Sequence, residues 1–441
     1  MRYFTMLGAL LLGLAACTPA AAPGDDGLAR GPQAQADVAR AEPVSLATEP
    51  VAALVAGNNA FAFDLYQALG ETGGENLIFS PYSISLAFSL AYAGAQGETA
   101  AQMADVFHYL PPAEQHPAFN ALEQHLADLD EGEAAGVAIV LPGEETEEER
   151  AQELFQLNVA NAAWGQEDYP FKEAYLETLA RYYGAGIHTA DFAANVEGAQ
   201  EAINEWVAER TEGKIEKLTP PLRITADTRL VLANAVYFYG AWLFPFDPAA
   251  TVEGVFTTLE GDEVTVPLMR QRAMRMPYRE GEGYQAAQIP YRGGAVEMLI
   301  ILPATGQFEE IEAALDADFV ARVRGGEQHD VDITMPRFDF DTTLTLPDLL
   351  RSLGLTLPFD AGAADFGGIA ATGLFIADAV HKGTITVDEE GTEAAAVTGI
   401  AMEESAYPAA TMTLNRPFLF AIVEQETGTI LFLGRVLDPA S

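Results

Sequence analysis

Asp388-Glu389-Glu390-Gly391-Thr392-Glu393-Ala394-Ala395-Ala396-Val397-Thr398-Gly399-Ile400-Ala401-Met402-Glu403 follows a β-rich run, His381 to Val387, and leads to Ser405-Ala406-Tyr407-Pro408. Side chains alternate faces along an extended chain, so the stretch is read with period two. One face carries Thr392, Ala394, Ala396, Thr398, Ile400 and Met402, small at first and then apolar. The other carries Glu393, Ala395, Val397, Gly399, Ala401 and Glu403, and both charges fall there. A segment split in this way can lie between two existing strands with one face on a core, where a charge would be costly. It lacks the β-branched bulk of a settled central strand. An Ala-rich linker is the alternative that the pattern leaves open.

Outward from this stretch, the second half of the chain reads as strands. They fall at Leu230–Phe238, 297–302, 330–340, 374–387, 418–424 and 429–433, the last two joined by the hairpin signal Gln425-Glu426-Thr427-Gly428. The first half is mainly helical. Leu54, Phe61, Leu65 and Leu69 fall at helical spacing and Gly70 stops the run. Ser80-Pro81 opens a second helix, with Ser as N-cap and Pro at the first helical position, running to about Ala93. It is apolar nearly all round and is expected to be central. Thr99-Ala100-Ala101-Gln102 reads as a capping box opening a third helix. Phe155–Trp164 alternates as a strand, and helices follow near 171–183 and 196–211. Asp128 to Glu153 is strongly acidic and reads as a solvated loop. Helices first and strands later, with no internal repeat, predict one α+β domain over 49–439.

Of 441 residues, 65 are acidic and 23 basic, for a formal charge of −42. Such a surface repels nucleic acid. The basic residues comprise 19 Arg and only four Lys, an imbalance to which the sequence alone attaches no function. The single cysteine, Cys17, excludes an intrachain disulfide and thiolate zinc clusters. It ends Leu14-Ala15-Ala16-Cys17, after a positive start and 14 apolar residues, too few for a membrane-spanning helix. The stretch reads as a secretory signal over 1–17, and its end resembles a bacterial lipoprotein box. That resemblance implies lipidation at Cys17 and an outer-membrane or cell-surface location, with the membrane engaged through the lipid alone. Residues 18–48 are Ala, Pro, Gly and Gln with scattered charges and no aromatic, and are expected to form a flexible tether.

No catalytic pattern is present. None of the eight serines lies in GxSxG, none of the six histidines in HExxH, and neither phosphate-binding glycine motif occurs. His108, His116 and His125 are spaced for no shared helix face, given Pro111, Pro112 and Pro117 between and beside them. No catalytic residue, metal or cofactor is therefore assigned.

The segment Val387–Ala396 resembles the proximal hinge of the serpins, the serine protease inhibitor family, and the resemblance covers nearly the whole chain. Asn76-Leu77-Ile78-Phe79-Ser80-Pro81-Tyr82-Ser83-Ile84 is similar to the family's segment opening the central helix. Leu232-Ala233-Asn234-Ala235-Val236-Tyr237-Phe238 with Gly240, Trp242 and Pro245-Phe246 resembles its most recognisable strand, and Arg416-Pro417-Phe418 and Leu431–Val436 resemble its C-terminal signature. The resemblance implies an α+β fold of about nine helices and three sheets with an exposed reactive loop, here 389–415. It implies a suicide inhibitor of a serine protease, or of a cysteine protease, acting as a monomer. The protease cleaves the loop, forms an acyl-enzyme, and is dragged away as the loop inserts in the large sheet. Glu389, Gly391, Thr392, Ala394, Ala395 and Ala396 then form the hinge. Ser80, Ser83, Asn234 and His381 match a shutter beneath the opening sheet, and Trp242 a breach at its top. Counting from Glu389 as the family does places the reactive bond at Ser405-Ala406, within one residue. Small residues there suit elastase-like or subtilisin-like proteases, and the absence of Arg and Lys from Glu389 to Asn415 disfavours trypsin-like ones. A non-inhibitory serpin serving as a binding module is the alternative; Pro or charge on the inward hinge face would mark it, and neither is present.

Overall fold

The computed structural model describes residues 33–70, 74–130, 155–218, 221–371, 373–392 and 410–441. All lie in the second of two compact units, Pro32–Ser441. Cys17, Ala394, Ala395, Ala396, Ser405 and Ala406 lie outside the described residues, as does the acidic stretch beyond Asp130.

Nine α-helices are described. The first four are α1 (Glu49–Gly70), α2 (Pro81–Tyr92), α3 (Gly97–Phe107) and α4 (Pro112–Asp130). The others are α5 (Glu173–Tyr183), α6 (Val196–Arg210), α7 (Phe308–Ala313), α8 (Ala317–Arg324) and α9 (Leu346–Ser352). One sheet contains β1 (Gln33–Ala34), β3 (Phe155–Gln166), β4 (Ile187–Ala190), β5 (Leu230–Ala241), β11 (Phe338–Thr345), β12 (Asp378–Val387) and β13 (Gly391–Thr392). Its order is β1-β4-β3-β5-β12-β11, with β13 added to β5. The other sheet contains β2 (Leu77–Phe79), β6 (Val252–Thr257), β7 (Glu263–Gly281), β8 (Tyr284–Pro290) and β9 (Val296–Pro303). Its remaining strands are β10 (Glu327–Pro336), β14 (Ala410–Thr413), β15 (Phe418–Glu424) and β16 (Ile430–Val436). The order is β14-β10-β7-β8-β9-β15-β16-β2, with β6 on β7. The three expected sheets thus occur as two hydrogen-bonded ones. In the larger, Ala273 on β7 takes φ 50° opposite a register shift between Val331 and Ile333 of β10, so one ladder turns a corner where two sheets would otherwise end.

The helix opened by Ser80 is the pivot. Ser80 caps α2 by accepting a 3.1 Å hydrogen bond from the Ser83 N–H, with Pro81 at the first position. Every residue of α2 is buried, because the helix contacts β3 and β5 on one side and β16 on the other. Fully burying Leu86, Phe88 and Leu90 stabilises by about 1.5–3 kcal/mol each.

Several expectations are corrected. The tether reading to Thr48 fails from Gln33 onward: Gln33 and Ala34 pair with His188 and Ile187, and the Ala41 N–H donates to Arg181 O at 2.7 Å. Arg40 bonds Asn120 at 2.9 Å and Glu123 at 2.8 Å. Backbone pairing and charge-assisted bonds dock this stretch, and neither leaves a hydrophobic period to read. The capping box at Thr99 is absent. The helix begins at Gly97 after Gln96, Thr99 Oγ1 accepts instead from Asp365 N at 2.9 Å, and Gln102 Oε1 accepts from Thr356 N and Leu357 N. Pro117 does not break the helix; it lies within α4, which carries both His116 and His125. The histidines remain apart: His108 bonds Asp64, His116 bonds Tyr183, and His125 lies 3.4 Å from Glu424. Finally, the run 330–340 is two strands, β10 and β11, separated at Arg337.

Candidate functional site

β5 and β12, neighbours in the smaller sheet, run parallel and pair from Val231↔Asp378 to Tyr237↔Thr384. Above that point the pairing between them stops, although β5 continues to Ala241 and β12 to Val387. Into the fork comes β13, antiparallel to β5, with Gly391↔Ala241 and Thr392↔Gly240. A side chain at Gly391 would place its Cβ 2.2 Å from the Gly240 carbonyl oxygen, so the entry is narrow enough to require glycine. Thr392 is wholly buried, and its hydroxyl lies 3.0 Å from the Tyr291 hydroxyl.

The turn between β12 and β13 is held from both sides. Asp388 Oδ1 accepts from the backbone N–H groups of Glu390 and Gly391, at 2.9 and 3.2 Å. Trp242, wholly buried, donates its indole N–H to Asp388 O at 3.0 Å and its backbone N–H to Glu390 O at 2.8 Å. Its ring stacks on Tyr291 at 4.6 Å and 12°. The Phe246 N–H donates to Glu389 O at 2.7 Å. The Glu389 carboxylate is buried, accepts from Arg337 Nη2 at 2.7 Å and also from Thr251 Oγ1. Burial pushes this carboxyl up, but the Arg337 and Thr251 donors outweigh it and hold the group below the ordinary carboxylate value. The turn is therefore anchored as an anion, while the two residues after it start a new strand.

Lower in the sheet the seam is locked by one polar row. Asn161 of β3, Asn234 of β5 and His381 of β12 are successive register partners. Asn234 Nδ2 donates to Ser83 O at 2.8 Å and Ser83 Oγ at 2.7 Å, and also meets Asn161 Oδ1. Asn161 Nδ2 donates to Ser83 O at 3.1 Å. The Ser80 N–H donates to His381 Nε2 at 3.1 Å, which makes Nε2 the acceptor nitrogen. The proton then sits on Nδ1, which bonds Asn234 Oδ1. Burial lowers the His381 pKa to about 3, so the imidazole is neutral at ordinary pH. The Asn234–His381 bond crosses the one seam that would part if a strand entered between β5 and β12.

Ser80, Ser83, Asn234 and His381 come together as one cluster, and Trp242, Glu389, Gly391 and Thr392 as another at the top of the same seam. Sequence reasoning missed Asn161, Tyr291, Thr251 and Arg337. A polar residue set between Ala160 and Ala162 in an alternating strand was the legible signal for Asn161. The other three reach the hinge from elements distant in sequence. Among the described residues no group of three or more His, Cys, Asp or Glu is placed to hold a metal ion.

A family model described as Serpin (serine protease inhibitor) matches residues 56–439. A serpin-like protein of Methanosarcina acetivorans is 34% identical over 397 residues, covering 88% of this chain and 88% of its own length. The leukocyte elastase inhibitor of Homo sapiens is 34% identical over 399 residues, covering 88% of this chain and 99% of the relative. Among solved structures, the native state of the thermophilic serpin tengpin aligns with TM-score 0.75 and 28% identity over 90% of this chain and 97% of that one. Thyroxine-binding globulin in complex with thyroxine aligns with TM-score 0.74 and 27% identity over 88% and 99%.

Proposed function

The chain belongs to the serpin family, whose members are generally non-catalytic, and from that premise we propose that it inhibits a serine-type endopeptidase by trapping it on a loop that inserts between β5 and β12. The observation that carries this reading is the register of β13. Continued downward from Thr392↔Gly240, it sets Thr398 beside Asn234 and Met402 beside Leu230, the first residue of β5. On that register the inward face of an inserted loop would end where β5 begins, and the bond Ser405-Ala406 would fall just beyond. Thr398 then brings a hydroxyl to the row where insertion parts Asn234 from His381, so the separated amide and imidazole regain a partner. No residue of that inward face is charged or proline.

Small residues at the bait position, together with the likeness to a leukocyte elastase inhibitor, support an elastase-like or subtilisin-like target. After incubation with such a protease, a complex stable to denaturing electrophoresis is expected, with cleavage at Ser405-Ala406 within one bond by mass spectrometry. Cleavage without any complex, across serine and cysteine proteases, would overturn the inhibitory reading. The second reading is a binding module that keeps the fold without the insertion. The likeness to thyroxine-binding globulin, solved with thyroxine, favours it, and cleavage without a complex is its expected result.

We also propose that the protein is secreted and held by lipid at Cys17 on an outer membrane or cell surface; among the described residues no helix is long and apolar enough to cross a membrane. Cys17→Ala is expected to abolish lipid labelling and partition into detergent. Unchanged partition would contradict the anchor.

A further inference from the structure

The uneven supply of arginine has a location. Four of the 19 arginines fall within ten residues of β7, at Arg270, Arg272, Arg275 and Arg279, and no acid occurs from Val264 to Arg279. In a chain of charge −42 this is a local inversion of sign. Arg270, Arg272 and Arg275 are exposed, and Arg279 is half-buried with Nη2 donating to Gly325 O at 2.9 Å. Arg275 is partly offset by Asp330 at 3.3 Å. Asp332, also on β10, accepts from the Ala273 N–H at 2.9 Å, and Glu327 at the start of β10 pairs with Tyr278 beside Arg279. Neither Arg270 nor Arg272 has an ion-pair partner among the described residues.

The stripe also lies close to the end of the loop. Val331 of β10 is the register partner of both Met274 on β7 and Ala410 on β14. Ala410 follows the loop residues directly in the chain. Two inter-strand steps of about 4.8 Å place the stripe on the order of 10 Å from the point where the loop rejoins the sheet. A protease engaged at Ser405-Ala406 is several times wider than that.

We propose that Arg270, Arg272 and Arg275 form a docking surface for the target protease, which carries an acidic patch beside its substrate cleft. The inference rests on the reading of the loop as protease bait. Most of this molecule's surface repels an acidic enzyme. Screening limits that repulsion to about 8 Å at physiological ionic strength, so a basic stripe beside the bait selects both the partner and its orientation. Such surface charges act chiefly on association rate.

The test is the double charge reversal Arg270→Glu with Arg272→Glu, against two small-pocket serine proteases, one acidic and one basic around the cleft. Both the rate of complex formation and the rate of loop cleavage are measured at low and high salt, with thermal unfolding as the folding control. The double variant is expected to associate about tenfold more slowly with the acidic protease at low salt, with the difference shrinking in high salt, and no more slowly with the basic one. Complexes forming at unchanged rates would overturn the docking surface while leaving inhibition intact. Cleavage slowed selectively, but with no complex from the wild type, would leave the docking surface standing and remove the inhibitory reading. Cleavage unaffected and no complex would remove both.

Discussion

Thr392→Arg is expected to turn the protein from inhibitor into substrate, cleaved at the wild-type rate but forming no covalent complex. Thr392 is already wholly buried in the uncleaved protein, between Gly240 and the Tyr291 hydroxyl. An arginine cannot occupy that space, and the two-residue strand β13 is short enough to be released at small cost. The variant is therefore expected to fold and to remain cleavable. Insertion is another matter, because residue 392 must then re-enter the layer between sheet and core. A buried charge without a partner costs several kcal/mol. A barrier raised by about 3 kcal/mol slows insertion more than a hundredfold. Insertion competes with hydrolysis of the acyl-enzyme, so a delay of that size hands the outcome to hydrolysis. Ala395→Arg, on the outward face by the period of two, is expected to keep most of its inhibition. Equal inhibition by both arginine variants would contradict the face assignment.

Cleavage of the loop is expected to raise the melting temperature of the wild-type protein by roughly 10 °C or more. In the intact sheet β5 and β12 meet through a parallel ladder that stops at Tyr237↔Thr384. A strand descending from Thr392 would pair antiparallel with both, replacing one parallel ladder with two antiparallel ones, the more stable arrangement per residue. It would also bury Ile400 and Met402, at about 1.5–3 kcal/mol each. Against this stands the loss of the direct Asn234–His381 bond, offset by the Thr398 hydroxyl arriving at that row. On the proposed mechanism the balance would favour the inserted state only once the loop is cut, because the chain is held from Ala410 onward as β14 of the other sheet.

Much of this was legible before the structure. Ser80-Pro81 announced the cap of α2, and the apolar surround of that helix announced its central burial, which the structure places against strands of both sheets. The alternation from Thr392 onward marked the face that must stay uncharged. The structure places the first residue of that face in the fork between β5 and β12. What the sequence concealed were pairings made by backbone or by single charges. Gln33 and Ala34 join the sheet edge through two register pairs, without an apolar pattern to betray them. Thr99 has the chemistry of a cap, yet Gly97 starts the helix two residues earlier and frees the Thr99 hydroxyl for Asp365. β7 hid because Pro267, Ala273 and Pro277 interrupt its alternation, and the bend at Ala273 shifts which residues face out. Arg337 and Thr251 hold Glu389 from elements distant in the chain. No local spacing encodes that convergence.

Thermal unfolding of the wild type before and after a single cut within 403–408 tests the central claim, that the loop becomes a strand between β5 and β12. The expected result is a cleaved protein that melts well above the intact one, with Thr392→Arg gaining much less. A cleaved wild type melting at or below the temperature of the intact protein would contradict insertion.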